Sequence, residues 1–183
     1  GSKKHLMNEL FEKKSLPFYK FGDAIYLQKI PTADWIDYIC GRFEATGKSI
    51  SPELAEKVCE AVDNHSSYVQ QLAWLIWVNT EKIAGEKEFE EAYKDILDQN
   101  TPLFEKQTEN LSTYQMNFLR AVCDGVHKEL STQGVIQKYK LGSSANVVTV
   151  KKALIKKELI EVEKHQVTIS DPLLKVWLQR ELL

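Results

Sequence analysis

Apolar residues in the first part of the chain recur every three or four positions, the spacing of one face of an α-helix. This pattern predicts four helices of a bundle, at about residues 32–46, 52–62, 67–83 and 87–97. Thr32 is a suitable N-cap for the first helix, Gly47 can end it, and Ser51-Pro52 can cap and begin the second. The third helix is apolar nearly all round, so we expect it to be the buried centre of the bundle.

A break is predicted at residues 100–102, because Pro102 cannot donate a helical hydrogen bond, and a short connecting helix is expected at residues 103–109. Beyond it, the pattern predicts a helix at 112–126, a short helix to 139 capped by Ser131, and a third helix from 144 to 157. Alternating residues at 159–163 and 166–169 then predict a hairpin, and Asp171-Pro172 should cap and begin a last helix.

Helix, helix, turn, helix and hairpin is the order of a winged helix. The predicted fold class is therefore mainly α, a helical bundle followed by a winged-helix domain with a small β-hairpin wing. The expected division is a connecting segment at residues 1–31, a helical bundle at 32–100 and a winged-helix domain at 111–183.

Charge divides unevenly along the chain. Residues 132–183 carry nine Lys/Arg against five Asp/Glu, whereas the remainder carries fifteen against twenty-one. A basic end on an acidic body fits a module that faces nucleic acid. No apolar run reaches the roughly 18 residues of a membrane helix, and no secretory leader is recognisable. The three cysteines lie far apart in apolar helical patterns, which indicates buried thiols in a reducing cytoplasm. We therefore expect a cytoplasmic protein without a membrane partner.

Neither a metal site nor a catalytic centre is expected. The four histidines show no ligand spacing with one another or with a cysteine, and no triad or carboxylate pair has a catalytic context. Residues 41–49 (GRFEATGKS) are similar to a phosphate-loop motif, but five residues instead of the required four separate Gly41 from Gly-Lys-Ser. The segment also ends a predicted helix instead of following a strand, so Lys48 and Ser49 are expected in an inter-helix loop.

The outer face of the presumed recognition helix offers candidate DNA contacts, and Lys164 at the wing tip could add another. The candidates on the helix are Ser144, Asn146, Thr149, Lys152 and Lys156. The same face could equally dock a protein or simply be solvated, and three glutamates at 158, 161 and 163 oppose a DNA backbone. Because the recognition helix and wing contain no arginine, any DNA binding should be weak, salt-sensitive and non-specific.

Four stretches carry a resemblance to a known family. They are residues 6–19 (LMNELFEKKSLPFY), 43–72 (ending HSSYVQQL), 115–120 (QMNFLR) and 170–178 (SDPLLKVWL). In order and spacing, the chain resembles the C-terminal region of prokaryotic AAA-like P-loop ATPases, the archaeal-ATPase group common in Bacteroidetes. Those proteins place a helical lid and then a winged helix after the nucleotide-binding core.

The resemblance implies a non-catalytic fragment that lacks the Walker A and B motifs, in which the lid couples nucleotide state to the winged helix. The partner would be the missing N-terminal ATPase core, and ATP and Mg²⁺ would belong to the full-length parent. In the family, the start of the third helix faces the core, so His65, Tyr68 and Gln71 could sense the bound nucleotide. Alternatively, His65 or Ser66 only caps the helix, and Tyr68 lies on its buried inner face. An arginine that relatives often carry near residue 20 is replaced by Lys20-Phe21.

Three other functions remain open. One is a free-standing transcription regulator whose first bundle dimerises or binds a ligand, and another is a protein-interaction scaffold. The third is an unrecognised enzyme, which would need a polar pocket with a strongly perturbed titratable group. Each of the four tryptophans lies among apolar neighbours in a predicted helix, so all four are expected in the core or at an interdomain contact: Trp35, Trp74, Trp77 and Trp177.

Overall fold

The computed structural model describes residues 28–182, which form eight helices and one two-stranded antiparallel sheet. The predicted helix at residues 5–14, the family stretch at 6–19 and the Lys20-Phe21 departure lie outside this range. In chain order the elements are α1 (Thr32–Glu44), α2 (Pro52–Ala61), α3 (Ser66–Asn79), α4 (Glu86–Thr108), α5 (Thr113–Cys123), α6 (Gln133–Tyr139), α7 (Ser144–Lys156), β1 (Ile160–Glu163), β2 (Gln166–Ile169) and α8 (Pro172–Leu182). None of these helices is both long and apolar enough to cross a membrane.

The first two helices begin and end through local backbone chemistry. Gly47 has a φ of 74°, the left-handed conformation expected after α1, and the Ser51 hydroxyl accepts a hydrogen bond from the Leu54 N–H at 3.2 Å. The predicted N-cap at Thr32 is wrong, because the helix already includes Thr32 and its cap position is Pro31. The Thr32 hydroxyl instead pairs with the Asn64 side chain, 3.1 Å away in the turn before α3.

Helix α3 is shorter and less buried than its sequence indicates. It ends at Asn79, and Ile83 lies in a bridge to Ser49 instead of continuing the helix. Its inner residues are buried, but 59% of the Trp74 side chain is exposed. The expectation that α3 is buried all round, with Trp74 in the core, is therefore wrong. Only one face packs on α2 and α4.

The predicted break at residues 100–102 is also wrong, because α4 runs without interruption for 23 residues with Pro102 inside it. A proline leaves the carbonyl four residues earlier without its N–H donor, a cost of about 3 kcal/mol in a helix interior. Here that carbonyl belongs to Asp98, an exposed residue that water can reach. On the buried side, Leu97 and Phe104 lie fully inside the core and hold both turns in place.

The second half of the chain folds in the predicted winged-helix order. Ser112 and Gln115 form a reciprocal capping box that begins α5. The cap position of α6 is Thr132, one residue after the predicted Ser131. In the wing, β1 and β2 pair from Ile160 opposite Ile169 to Glu163 opposite Gln166, as the alternation predicts. Asp171 caps α8 by accepting hydrogen bonds from the N–H groups of Leu173 and Leu174.

His127 joins the edge of the wing from the loop after α5. The N–H of Val167 donates to the His127 carbonyl at 2.8 Å, and the Nδ1 atom of His127 lies 2.9 Å from the Val167 carbonyl. Because a carbonyl oxygen only accepts, Nδ1 must carry a proton. The imidazole thus occupies the place of the backbone donor that a third strand would supply.

Helix α4 connects the two halves. It packs against α3 and also against α8, where the rings of Phe104 and Trp177 lie 6.0 Å apart. A hydrogen bond of 2.6 Å from the Tyr68 hydroxyl to Asp171 adds a polar contact between α3 and the start of α8. The buried apolar residues form one continuous cluster through both halves. The division into units at 32–100 and 111–183 remains a prediction.

We predict that Phe104→Ala lowers the free energy of unfolding by about 3–5 kcal/mol, because it leaves a cavity where α4 meets α8. The matched control is Leu103→Ala on the same helix, whose side chain is 49% exposed and whose loss should cost about 0.5 kcal/mol or less. Urea unfolding followed by circular dichroism measures both. Equal losses in the two variants would mean that α4 does not anchor the junction.

A second prediction concerns Tyr68. Burial and the bond to Asp171 raise the pKa of Tyr68 above its ordinary value, so the folded state favours the protonated phenol. The resulting stability is complete below the unfolded pKa of about 10 and falls as the pH rises above it. Tyr68→Phe should therefore cost about 1–2 kcal/mol at neutral pH and reduce the loss of stability above about pH 10.

The control for Tyr68→Phe is Tyr93→Phe. Tyr93 is half-buried, and its hydroxyl forms no hydrogen bond with another described residue. This substitution should change the neutral-pH stability by less than about 0.5 kcal/mol. The measurement is chemical unfolding at a series of pH values. The same alkaline loss in Tyr68→Phe as in the unmodified protein would show that Tyr68 does not control it.

Candidate nucleic-acid interface

Helix α7 is held by three buried side chains that leave its opposite side to solvent. Val147, Val150 and Leu154 lie within the core, as the periodicity predicts, and α7 packs against α5 and β1. The Ser143 hydroxyl caps the helix by accepting from the Asn146 N–H at 3.2 Å. This packing fixes which α7 residues can meet a partner.

The three neutral candidates on α7 are already engaged with the backbone. Asn146 donates through Nδ2 to the Leu141 carbonyl at 2.7 Å and so holds the preceding turn. The Thr149 hydroxyl donates to the Ala145 carbonyl at 3.1 Å, and that of Ser144 lies 3.4 Å from the Ser131 carbonyl. Asn146 is also half-buried. These side chains therefore have fewer hydrogen-bonding groups available to a ligand than the sequence indicates. Asn146 instead stabilises the turn before α7.

The lysine candidates are placed differently. Lys152 and Lys156 lie one turn apart on the exposed side of α7, and neither forms an ion pair with any residue in the described part of the chain. Lys164 lies at the wing tip, where it and His165 have φ angles of 48° and 66°, the conformation of a two-residue hairpin turn. All three ammonium groups can therefore reach an anionic partner.

The same surface also carries features that disfavour DNA. Glu161 and Glu163 are exposed on the wing, next to the exposed Glu158. Val148 and Ile155 are exposed on α7, and Val162 is exposed on β1. Sequence reasoning missed these apolar residues, although Val148 and Ile155 are seven residues apart and fall outside the buried stripe. The surface is therefore basic and apolar at once, with an acidic edge.

The three candidates for nucleotide sensing do not form one site. The His65 ring stacks on Tyr68 with 4.5 Å between centroids, and Tyr68 is buried with its hydroxyl on Asp171. Gln71 is exposed and lines a different feature, the groove between α1 and α3. His65 occupies the cap position of α3, but its side chain forms no capping hydrogen bond. The alternative in which Tyr68 belongs to the inner face agrees with its burial.

The groove between α1 and α3 has a volume of about 630 Å³, and five of its twelve lining residues are aromatic. Tyr38 and Trp74 are exposed along it, while Trp35 is buried. Trp77 is half-buried, and its Nε1 donates to the Thr46 hydroxyl at 2.9 Å. Of the four tryptophans, Trp35 and Trp177 pack within the described chain, whereas Trp74 lies outside the core, and an interdomain contact of Trp74 stays a prediction. No sequence motif pointed to this groove.

Residues 41–49 do not form a phosphate loop. They comprise the last turn of α1 and the turn after it, where the N–H groups of Ala45 to Lys48 donate to carbonyls of the same helix end. The Lys48 ammonium donates to the Trp77 carbonyl at 2.6 Å and lies 4.3 Å from the centre of the Trp77 ring. Both the backbone donors and the lysine are thus occupied.

Residues 28–182 contain no group of three or more His, Cys, Asp or Glu side chains arranged to hold a metal ion. The three thiols are free, and burial raises the pKa of both Cys59 and Cys123 to about 11. A thiol with so high a pKa is a poor nucleophile at neutral pH. The two cysteines therefore act as small buried side chains.

Comparisons with known proteins agree with this architecture. Residues 102–180 match the family model described as "probable winged helix domain". No curated protein matches the sequence. Among solved structures, a Walker-type ATPase of Pyrococcus abyssi has a similar fold, with a TM-score of 0.69 at 16% identity over 95% of this chain. The chain spans only 50% of the length of that ATPase. Residues 102–180 thus have a winged-helix fold, within a chain whose fold is similar to half of a Walker-type ATPase.

Proposed function

We propose that this chain is the C-terminal part of a cytoplasmic P-loop ATPase, in which α1–α4 form a lid and the winged helix binds duplex DNA. By itself the chain would not hydrolyse ATP, because the Walker motifs, ATP and Mg²⁺ belong to the missing core. The structural likeness to half of a Walker-type ATPase supports the architecture. Three free thiols, two of them buried, suit a reducing cytoplasm.

The observation that carries DNA binding is the pair of exposed lysines on the outer face of α7. A winged helix uses this helix to enter the major groove, and lysines there neutralise phosphate charge. Neither Lys152 nor Lys156 has an acidic partner within residues 28–182 that it must give up. With no arginine on α7 or the wing, the contact would be electrostatic and largely independent of sequence.

A second candidate function is protein docking by the same surface. It is favoured by the exposed side chains of Val148, Ile155 and Val162, which could bury apolar area against a protein. The wing glutamates would also be tolerated better by a protein than by a DNA backbone.

The missing ATPase core is the partner that we propose for the other exposed apolar region. Helix α3 carries no charged residue between Ser66 and Asn79, and Trp74 and Val78 are both about half exposed or more. Tyr38 on α1 continues the same surface. An uncharged face with exposed aromatic side chains is typical of a protein interface. In the intact protein, this contact and α4 would link the nucleotide state to the winged helix.

We predict that the chain binds a labelled duplex at about 50 mM salt and loses most of this affinity at about 200 mM. The double variant Lys152→Gln/Lys156→Gln should weaken binding and reduce the slope of log affinity against log salt by about 2, since two phosphate contacts are lost. Fluorescence anisotropy measures both quantities.

A matched control is Lys87→Gln/Lys94→Gln, which removes the same charge from exposed positions on α4. It should leave the slope unchanged. If both double variants weaken binding equally, net charge and not α7 is responsible. If no binding occurs at low salt, DNA is excluded as the ligand and protein docking becomes the better proposal.

A further inference from the structure

A small cleft lies where the turn before α3 meets the wing and the start of α8. It has a volume of about 200 Å³ and is separate from the outer face of α7. Among its lining residues are Lys29, Asp63, His65, His127, Ser170 and Lys175. The volume is below the roughly 300–1,000 Å³ of pockets for larger organic ligands, so the cleft suits a small ion.

The carboxylates around this cleft are already bound. Lys29 donates to the side chain and the carbonyl of Asp63, at 2.6 and 2.7 Å. Asp171, next to the cleft, accepts hydrogen bonds from Tyr68 and from the N–H groups of Leu173 and Leu174. Both carboxylates are thus already hydrogen-bonded within the protein.

Donors, in contrast, are in excess. The Lys175 ammonium is exposed and forms no ion pair with another described residue. The Ser170 hydroxyl is buried without a hydrogen-bond partner, which is costly for a polar group. The His65 ring stacks on Tyr68 and has no hydrogen-bond partner in the described part of the chain. Spare donors beside carboxylates that are already hydrogen-bonded favour an anion.

His127 adds a hydrogen-bond acceptor to the cleft, and most anions have no O–H to donate to it. Its Nδ1 proton is committed to the Val167 carbonyl, so in the neutral ring the Nε2 atom carries a lone pair and can only accept. An ion that bonds to the neutral ring must therefore offer an O–H to Nε2 as well as several oxygens to the donors. Hydrogen phosphate has both, whereas sulfate and a DNA phosphodiester have no proton to give.

We propose that this cleft binds one hydrogen phosphate ion. Lys175, His65 and Ser170 donate to its oxygens, and its O–H donates to Nε2 of His127. Because the Ser170 hydroxyl is closed to solvent, the ion reaches it with a small widening of the cleft. The ion would bridge the turn before α3 and the start of α8, next to the Tyr68–Asp171 bond. This proposal does not depend on the proposed DNA or ATPase function.

The test is isothermal titration calorimetry of residues 1–183 with inorganic phosphate at constant ionic strength. We expect saturable binding at one site, and sulfate should bind at least about tenfold more weakly because one hydrogen bond is lost. Methyl phosphate, whose only O–H groups are those of the phosphate, separates the free ion from a phosphomonoester. Well above its second pKa of about 6 the ester has no proton left, and it should then not bind.

Ser170→Ala and Lys175→Met should each weaken phosphate binding by about tenfold. Ser170→Ala removes a hydroxyl that has no partner, so its thermal midpoint without phosphate should be unchanged or higher, which rules out misfolding as the cause. The matched control Lys152→Met, on the outer face of α7, should leave phosphate affinity unchanged.

Four outcomes would overturn the proposal. They are no saturable phosphate binding, equal binding of sulfate, unchanged affinity in both cleft variants, or a loss in Lys152→Met as large as that in Lys175→Met. The last result would place the anion on the recognition helix instead. The first three outcomes do not bear on duplex binding by Lys152 and Lys156 at low salt, and the fourth would support it, so the two proposals fail separately.

Discussion

Burial of one face of α4 holds the two halves of this structure together. At one end the helix packs against α2 and α3, and at the other Phe104 lies fully buried near Trp177 of α8. A helix is stiff over this length, so its two ends cannot move independently unless buried apolar contacts are lost. The continuity of α4 therefore fixes where the winged helix lies relative to the first three helices.

This arrangement separates the surfaces that meet partners. The lysine face of α7 and the aromatic groove between α1 and α3 are different regions, lined by different residues. The Tyr68–Asp171 bond and the small cleft lie at the junction between the halves. If α3 faces an ATPase core, as we propose, a change there reaches the winged helix through α4 and through the cap of α8, both of which contact the first bundle.

The helix break at Pro102 shows why a strong local signal failed. Proline costs about 3 kcal/mol in a helix interior, which is enough to end an isolated helix. That cost is offset here by the buried residues on both sides of it, Leu97 and Phe104, whose burial contributes a similar amount. Trp74 shows the reverse case. Its apolar character predicts burial, yet no neighbouring element in the described chain covers it, and 59% of it stays exposed.

The amino-acid sequence was enough to predict the structural features that arise from interactions within a few residues. The Ser51 and Asp171 caps, the left-handed Gly47, the buried stripe of α7 and the hairpin pairing all rest on backbone hydrogen bonds or side-chain periodicity in one segment. It also placed the lysines of α7 outside the buried stripe. The remaining features depend on contacts between distant segments. Tyr68 and Asp171 are 103 residues apart, and His65 and His127 meet only because distant segments converge on one cleft. No local pattern encodes such contacts, since their energy depends on packing that exists only once the whole chain has folded.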